Sequence, residues 1–471
     1  MMAHSRVTPL AVALVATLVA GCVLNKPPDT AALKEQALPG FETPAKWTAP
    51  TATAEAVADN WLASFKDDQL TAAVAEAIAH NADLRVGAAR VEQARLYAKL
   101  AGAKLYPSVD VLARGGGKLS GDGSGLQGAV LTATWEVDLW GRVRYGKAAS
   151  AAQARSAEAD FAYARQSIAA LVAKSWFLAT EAGLQILAAK ENIRGSEELV
   201  RLAGERERVG VGGQEDVYVA RANVGGARDV VRQLELGREQ AVRALELLLG
   251  RYPSAAAAPS PELPGYPGEV PTGLPSALLE RRPDVIAAER RVAVAFNRIG
   301  EAKAALLPRI SLTAGGSTIS SDVFVLQDRA NPAFSFGANL LAPIYQGGVL
   351  RAQVEIRTAE QRQAVAEYAR TGQRAFAEVE NALAAENTLR DREGILDATV
   401  RDSARALELA EIQYRVGSVD LRAVEQNHLA LYTTRMSQLR VQTERRAQRV
   451  NLYLALGGGS DLPAMEPVAA K

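Results

Sequence analysis

The chain has 471 residues, is 48% hydrophobic but only 6% aromatic, and carries a formal net charge of +1. That balance gives no electrostatic reason to expect a nucleic-acid partner. Its three histidines, His4, His80 and His428, lie far apart in sequence, which argues against a histidine metal or acid–base centre, and the single cysteine, Cys22, excludes an internal disulfide and a cysteine zinc cluster.

The first element is "MMAHSRVTPLAVALVATLVAGC", with a basic Arg6, a short apolar run and small residues before the cysteine. The run is too short to span a bilayer but suits a signal peptide over residues 1–21. The "LVAGC" ending resembles a bacterial lipobox, which implies cleavage before Cys22 and acylation of its thiol. Residues 22–60 contain scattered prolines and read as an extended, lipidated tether. No later stretch is a candidate membrane helix.

From residue 61 the chain follows one plan twice. Leu84, Gly87, Val91, Ala94, Ala98, Ala101 and Leu105 alternate in spacings of three and four before Pro107. Val285, Ala288, Val292, Ala295, Ile299, Ala302 and Leu306 do the same, 201 residues later, before Pro308. "RVG" at Arg208 recurs at Arg415, and "LLLG" ending at Gly250 returns as "LALG" ending at Gly457, both offset by 207. The sequence therefore predicts an internal duplication. The first repeat covers residues 61–250 and the second 276–459, with a proline-rich linker over 251–275 and a tail over 460–471. In each repeat, helix, strand, glycine turn and strand lead into a proline-free helix, 142–208 and 349–415, each about 100 Å long at 1.5 Å per residue.

Four strands are predicted, at 108–115, 125–139, 309–317 and 333–341. In "AVLTATWEVDLWGR" apolar and polar residues alternate from Leu131, and "AFSFGANLL" repeats the pattern. Helices of that length cannot fold back as a compact cover over the strands, and tilted strands of about ten residues match a bilayer, so lipid is the expected cover. Leu131, Trp135, Val137, Phe334 and Phe336 are the candidate lipid-facing residues, with Trp135 and Trp140 near a membrane interface. A four-stranded open sheet would leave its edges unpaired in lipid, so several copies must share one barrel. The glycine-rich stretch "GGGKLSGDGSG" lacks phosphate-loop spacing and reads as a surface loop.

The pieces "LVAGC", "TWEVDLWGR", "SALLERRPDVIAAE", "PIYQGGVLRAQV", "YRVGSVDL" and "NLYLALGGG" together resemble the TolC-like outer-membrane efflux proteins, specifically the NodT-like lipoprotein branch. The resemblance implies a mixed α and transmembrane-β fold: a homotrimer with a shared 12-stranded β-barrel, four strands per chain, above a long periplasmic α-helical barrel. It implies the outer-membrane exit duct of a tripartite pump, which exports small organic molecules with a periplasmic adaptor and an inner-membrane transporter of RND type. The periplasmic gate is expected at Asp420, Leu421 and Glu425. Adaptor-contacting tips are expected at Val209, Gly210, Val416 and Gly417. No catalytic motif, metal site or cofactor is expected. The alternatives are the exit duct of a type I secretion system and a non-channel, coiled-coil structural lipoprotein. "RRPDV" reads as a helix start, with Pro283 in the first turn and Asp284 at the positive end of the dipole.

Overall fold

A computed structural model describes residues 24–48, 59–114, 127–268, 270–273, 275–320 and 333–459. Cys22, the signal peptide, the tail and the glycine-rich loop lie outside the described residues. In chain order the elements are α1 (Thr30–Ala37), α2 (Asp68–His80), α3 (Ala82–Ala103), β1 (Ser108–Arg114), β2 (Gln127–Val137), α4 (Arg142–Arg208) and α5 (Gln214–Leu249). There follow α6 (Leu278–Arg281), α7 (Pro283–Ala304), β3 (Arg309–Ser320), β4 (Ala333–Leu341), α8 (Val349–Arg415) and α9 (Leu421–Ala455).

The duplication is visible element by element. Helices α3 and α7 are 22 residues each and α4 and α8 are 67 each, at the offsets of 201 and 207 seen in the sequence. Absence of proline lets the long helices run unbroken, and glycine ends them. Gly210 and Gly417 take φ of +78° and +80°, a left-handed conformation that side chains oppose, and the amides beyond them turn back to Arg206 O and Gln413 O.

The compact units do not follow the repeats. One gathers residues 1–41, 89–160 and 286–371, and the other 42–88, 161–285 and 372–471. Each therefore draws on both copies of the plan.

The first unit holds the sheet. All four strands pair antiparallel in the order β1-β2-β3-β4. β2 stops at Val137 rather than 139 because Asp138 turns to cap α4, accepting from the amides of Val143 and Arg144 at 2.9 Å. Below the sheet α3 packs on α4, with the Lys147 stem against Gly102, and α4 packs on α7, where the Tyr145 ring lies so close to Gly300 that no Cβ would fit. The tether is not wholly extended as the sequence suggested: Asp29 caps α1 by accepting from Ala32 N at 2.8 Å, and α1 buries Leu33.

The second unit is helical. An aromatic cluster of Trp61, Phe65, Phe177 and Tyr453 forms one part of its core. The proline-rich segment over 251–275 is docked, not free. Arg446 donates to Pro264 O at 2.7 Å and Arg445 and Arg449 lie over the Tyr266 ring. Trp47 donates to the carbonyls of Thr272 and Gly273.

Candidate membrane face and helical tips

The sheet register decides which side chains share a face, because partners directly across a ladder point the same way. Leu131 pairs with Val111 and Gly316, and Gly316 with Phe334. Ala133, Val109, Ala314 and Phe336 form the next row, Trp135, Leu312 and Ala338 another, and Val137, Ile310 and Leu340 the last. All five sequence-expected residues, Leu131, Trp135, Val137, Phe334 and Phe336, thus share one face. The opposite face carries Asp110 and Thr132, Ser108 and Thr134, Thr313 and Gly337, Glu136, Ser311 and Asn339. Ser108 and Thr134 hydroxyls bond across it at 2.8 Å.

The apolar face is bare. Phe336 is 88% exposed and Phe334 74%, and among the described residues Leu131, Val109, Val111 and Leu340 are exposed as well. A contiguous patch of this kind marks a surface that water does not normally meet. Trp135 and Trp140 donate their indole N–H groups to Leu105 O and Pro308 O at 3.0 and 2.8 Å, which holds both rings at the strand–helix junctions. No helix among the described residues is long and apolar enough to cross a membrane.

In the second unit the two helical turns share one core. Leu199 and Ala203 of α4, Val217 and Ala220 of α5, Ala410 and Tyr414 of α8, and Leu421 and Val424 of α9 pack together. Arg206 spans both turns, donating to Tyr414 O at 2.7 Å and Val211 O at 3.2 Å while its guanidinium lies over the Tyr414 ring. Val209 and Val416 project outward, 61% and 75% exposed, beside Gly210 and Gly417.

The three gate candidates have different fates. Asp420 is the N-cap of α9, its carboxylate accepting from Ala423 N at 2.9 Å, and stays exposed. Leu421, expected at the gate, is only 2% exposed within the chain. It follows the cap directly, on the side of α9 that faces Val217 and Tyr414, so its side chain fills the tip core. Glu425 accepts from Asn223 of α5 at 2.7 Å. Partial burial, with the nearby Asp216 charge adding to it, raises its pKa above the usual carboxylate range.

One residue that sequence reasoning placed only as a neighbour proves central. Arg282 of "RRPDV" is fully buried. Its fork meets both Asp284 oxygens at 3.0 and 2.8 Å, Glu378 of α8 at 2.7 Å and Ala455 O of α9 at 3.1 Å. The planar guanidinium can serve four acceptors at once, which lysine cannot. Among the described residues no three His, Cys, Asp or Glu side chains converge into a group that could hold a metal.

A family model described as outer membrane efflux protein matches residues 73–251 and 274–458. The chain is 30% identical over 406 residues to the cation efflux system protein CusC of Escherichia coli, covering 85% of this chain and 88% of the relative. It is 33% identical over 451 residues to the outer membrane protein OprJ of Pseudomonas aeruginosa, covering 90% and 92%. The solved outer-membrane channel OprN superposes with a TM-score of 0.80 at 28% identity, over 89% of this chain and 98% of that one.

Proposed function

The chain belongs to the outer membrane efflux protein family, and from that premise we propose that it is the outer-membrane exit duct of a tripartite efflux pump, working as a homotrimer. The observation that carries this reading is the two-faced sheet: one bare apolar face from Val109 to Leu340 and one polar face from Asp110 to Glu136. Lipid covers the first and a water-filled lumen wets the second.

Closure follows from the edges. Among the described residues β1 and β4 each pair on one side only, and an unpaired strand edge in hydrocarbon costs several kcal/mol per group. Three copies of a four-stranded sheet make a twelve-stranded barrel, within the range of known barrels, and a cyclic ring leaves no edge. Acylation of Cys22 adds a lipid anchor in the outer membrane.

The periplasmic end receives the pump. Val209, Gly210, Val416 and Gly417 contact the periplasmic adaptor, which links the duct to an inner-membrane transporter of RND type. Asp420 and Glu425 supply acidic rings at the gate when three copies converge. Cargo is a small organic molecule; the cation named for CusC belongs to that relative. The chain performs no chemistry on what passes.

The test is the native mass of the mature protein extracted from outer membranes in detergent. A trimer that conducts in planar bilayers is the expected result. A monomer that stays folded without lipid would mean the apolar face is buried some other way, and would overturn the duct.

A further inference from the structure

Immediately below the sheet, in the first unit, α3, α4 and α7 line a single groove of about 570 Å³. Its wall is basic. Arg90 of α3, Lys104 in the turn just past its end, Arg142 and Lys147 of α4 and Arg298 of α7 face it, against only Asp160 and Glu301. The acids are already engaged: Asp160 by Arg291 at 2.5 Å and Glu301 by Arg298 at 2.8 Å. Arg142 is likewise neutralised by a two-pronged pair with Glu136 at 2.9 and 2.6 Å. Arg90, Lys104 and Lys147 have no ion pair among the described residues, so three uncompensated cations line one concave surface. Between them the lining turns partly apolar, with Tyr97 and Leu100 both exposed.

The side on which the groove opens follows from Arg142. Its partner Glu136 belongs to the polar face of β2, in register with Ser311. The groove therefore lies at the foot of the sheet's polar face, the face assigned above to the lumen.

We propose that this groove is a binding subsite in the wall of the conduit for organic anions, solutes that carry a carboxylate, sulfonate or phosphate on an apolar body. Arg90, Lys104 and Lys147 attract the charge and Tyr97 and Leu100 receive the body. Fixed cations lining a confined path concentrate anions and select for them, while a purely apolar cargo would gain nothing from the three charges. The inference rests on the duct reading and specifies the class of solute the duct favours.

Two measurements on the full-length, detergent-extracted protein separate the failure of one reading from that of the other. Equilibrium dialysis with 1-naphthalenesulfonate needs no channel. Wild type should bind it, inorganic sulfate should compete weakly, and a Lys104→Gln/Lys147→Gln double variant should lose most of the binding while keeping the stem contact of residue 147 on Gly102. In planar bilayers under a salt gradient, Lys104→Glu/Lys147→Glu should move the reversal potential toward cation selectivity, and naphthalenesulfonate should reduce conductance in wild type only. Binding unaltered in the Gln variant, equal binding of sulfate, or no binding at all would overturn the groove assignment even in a preparation that conducts. Wild-type binding that is lost in the variant, in a preparation that never conducts, would keep the anion site and refute the duct.

Discussion

Placing one arginine at Leu131 and another at Thr132 tests the two-faced sheet at constant depth. The 11 residues of β2, at about 3.3 Å each and tilted about 45°, rise about 26 Å, close to the apolar band of a membrane barrel. Positions 131 and 132 fall at the middle of that strand, one residue apart and on opposite faces. Near the midplane a lipid-facing arginine costs about 2–4 kcal/mol, whereas a lumenal one faces water. The difference corresponds to roughly a 30- to 700-fold change in the folding equilibrium. The assay is denaturant unfolding of protein inserted in lipid vesicles, with the outer-membrane yield in cells as a second readout. Leu131→Arg should shift the midpoint strongly and Thr132→Arg should shift it little. Equal costs at the two positions, or a larger cost at Thr132, would refute the assignment of faces and the barrel with it.

Arg282→Met should destabilise the second unit by about 3–5 kcal/mol, because Asp284 stays buried with only the longer 3.5 Å contact to Arg374; a loss under about 1 kcal/mol in detergent denaturation would show that the fork contributes little. Gly195→Ala in α4 should cost about 1–3 kcal/mol, since the added Cβ would lie 2.3 Å from His428 Nε2. Gly204→Ala in the same helix meets nothing within 4 Å and should stabilise by about 0.5–1 kcal/mol, so opposite shifts in melting temperature are expected. Burial lowers the pKa of His428. The unfolded chain therefore binds the proton first, and stability is kept above about pH 6.5 and lost as pH falls below it. Melting curves from pH 7.5 to 5.5 should show a steeper decline in wild type than in His428→Gln, and parallel curves would exclude the effect.

Much of this was open to sequence reading because it depends on period. Spacings of three and four, proline-free runs and the terminal glycines define α4 and α8 to their ends, and alternation from Leu131 separates the faces of β2. What escaped depends on partners distant in sequence. "RRPDV" announces a helix start, but nothing local says that Arg282 reaches Glu378 and the carbonyl of Ala455. Leu421 could be read as exposed or buried until Tyr414 and Val217 were brought beside it. The N-cap role of Asp420 was legible, since aspartate directly before a helical run is a capping signal. The linker's prolines suggested a free segment, yet Tyr266 is held by arginines from α9 that no spacing rule connects to it.

The equal length of α4 and α8 makes each helix a ruler. Arg206 and Tyr414 meet near their ends, so both must arrive at the same height and azimuth. One residue inserted into either would advance its end by 1.5 Å and swing it by about 100°, carrying the guanidinium away from the ring. An insertion of seven residues leaves the end only about 20° short of two full turns, but the unmatched helix would then fall about 10 Å short. Natural variation in the length of such a protein should therefore be quantised, with gains and losses occurring in sevens and in both helices together.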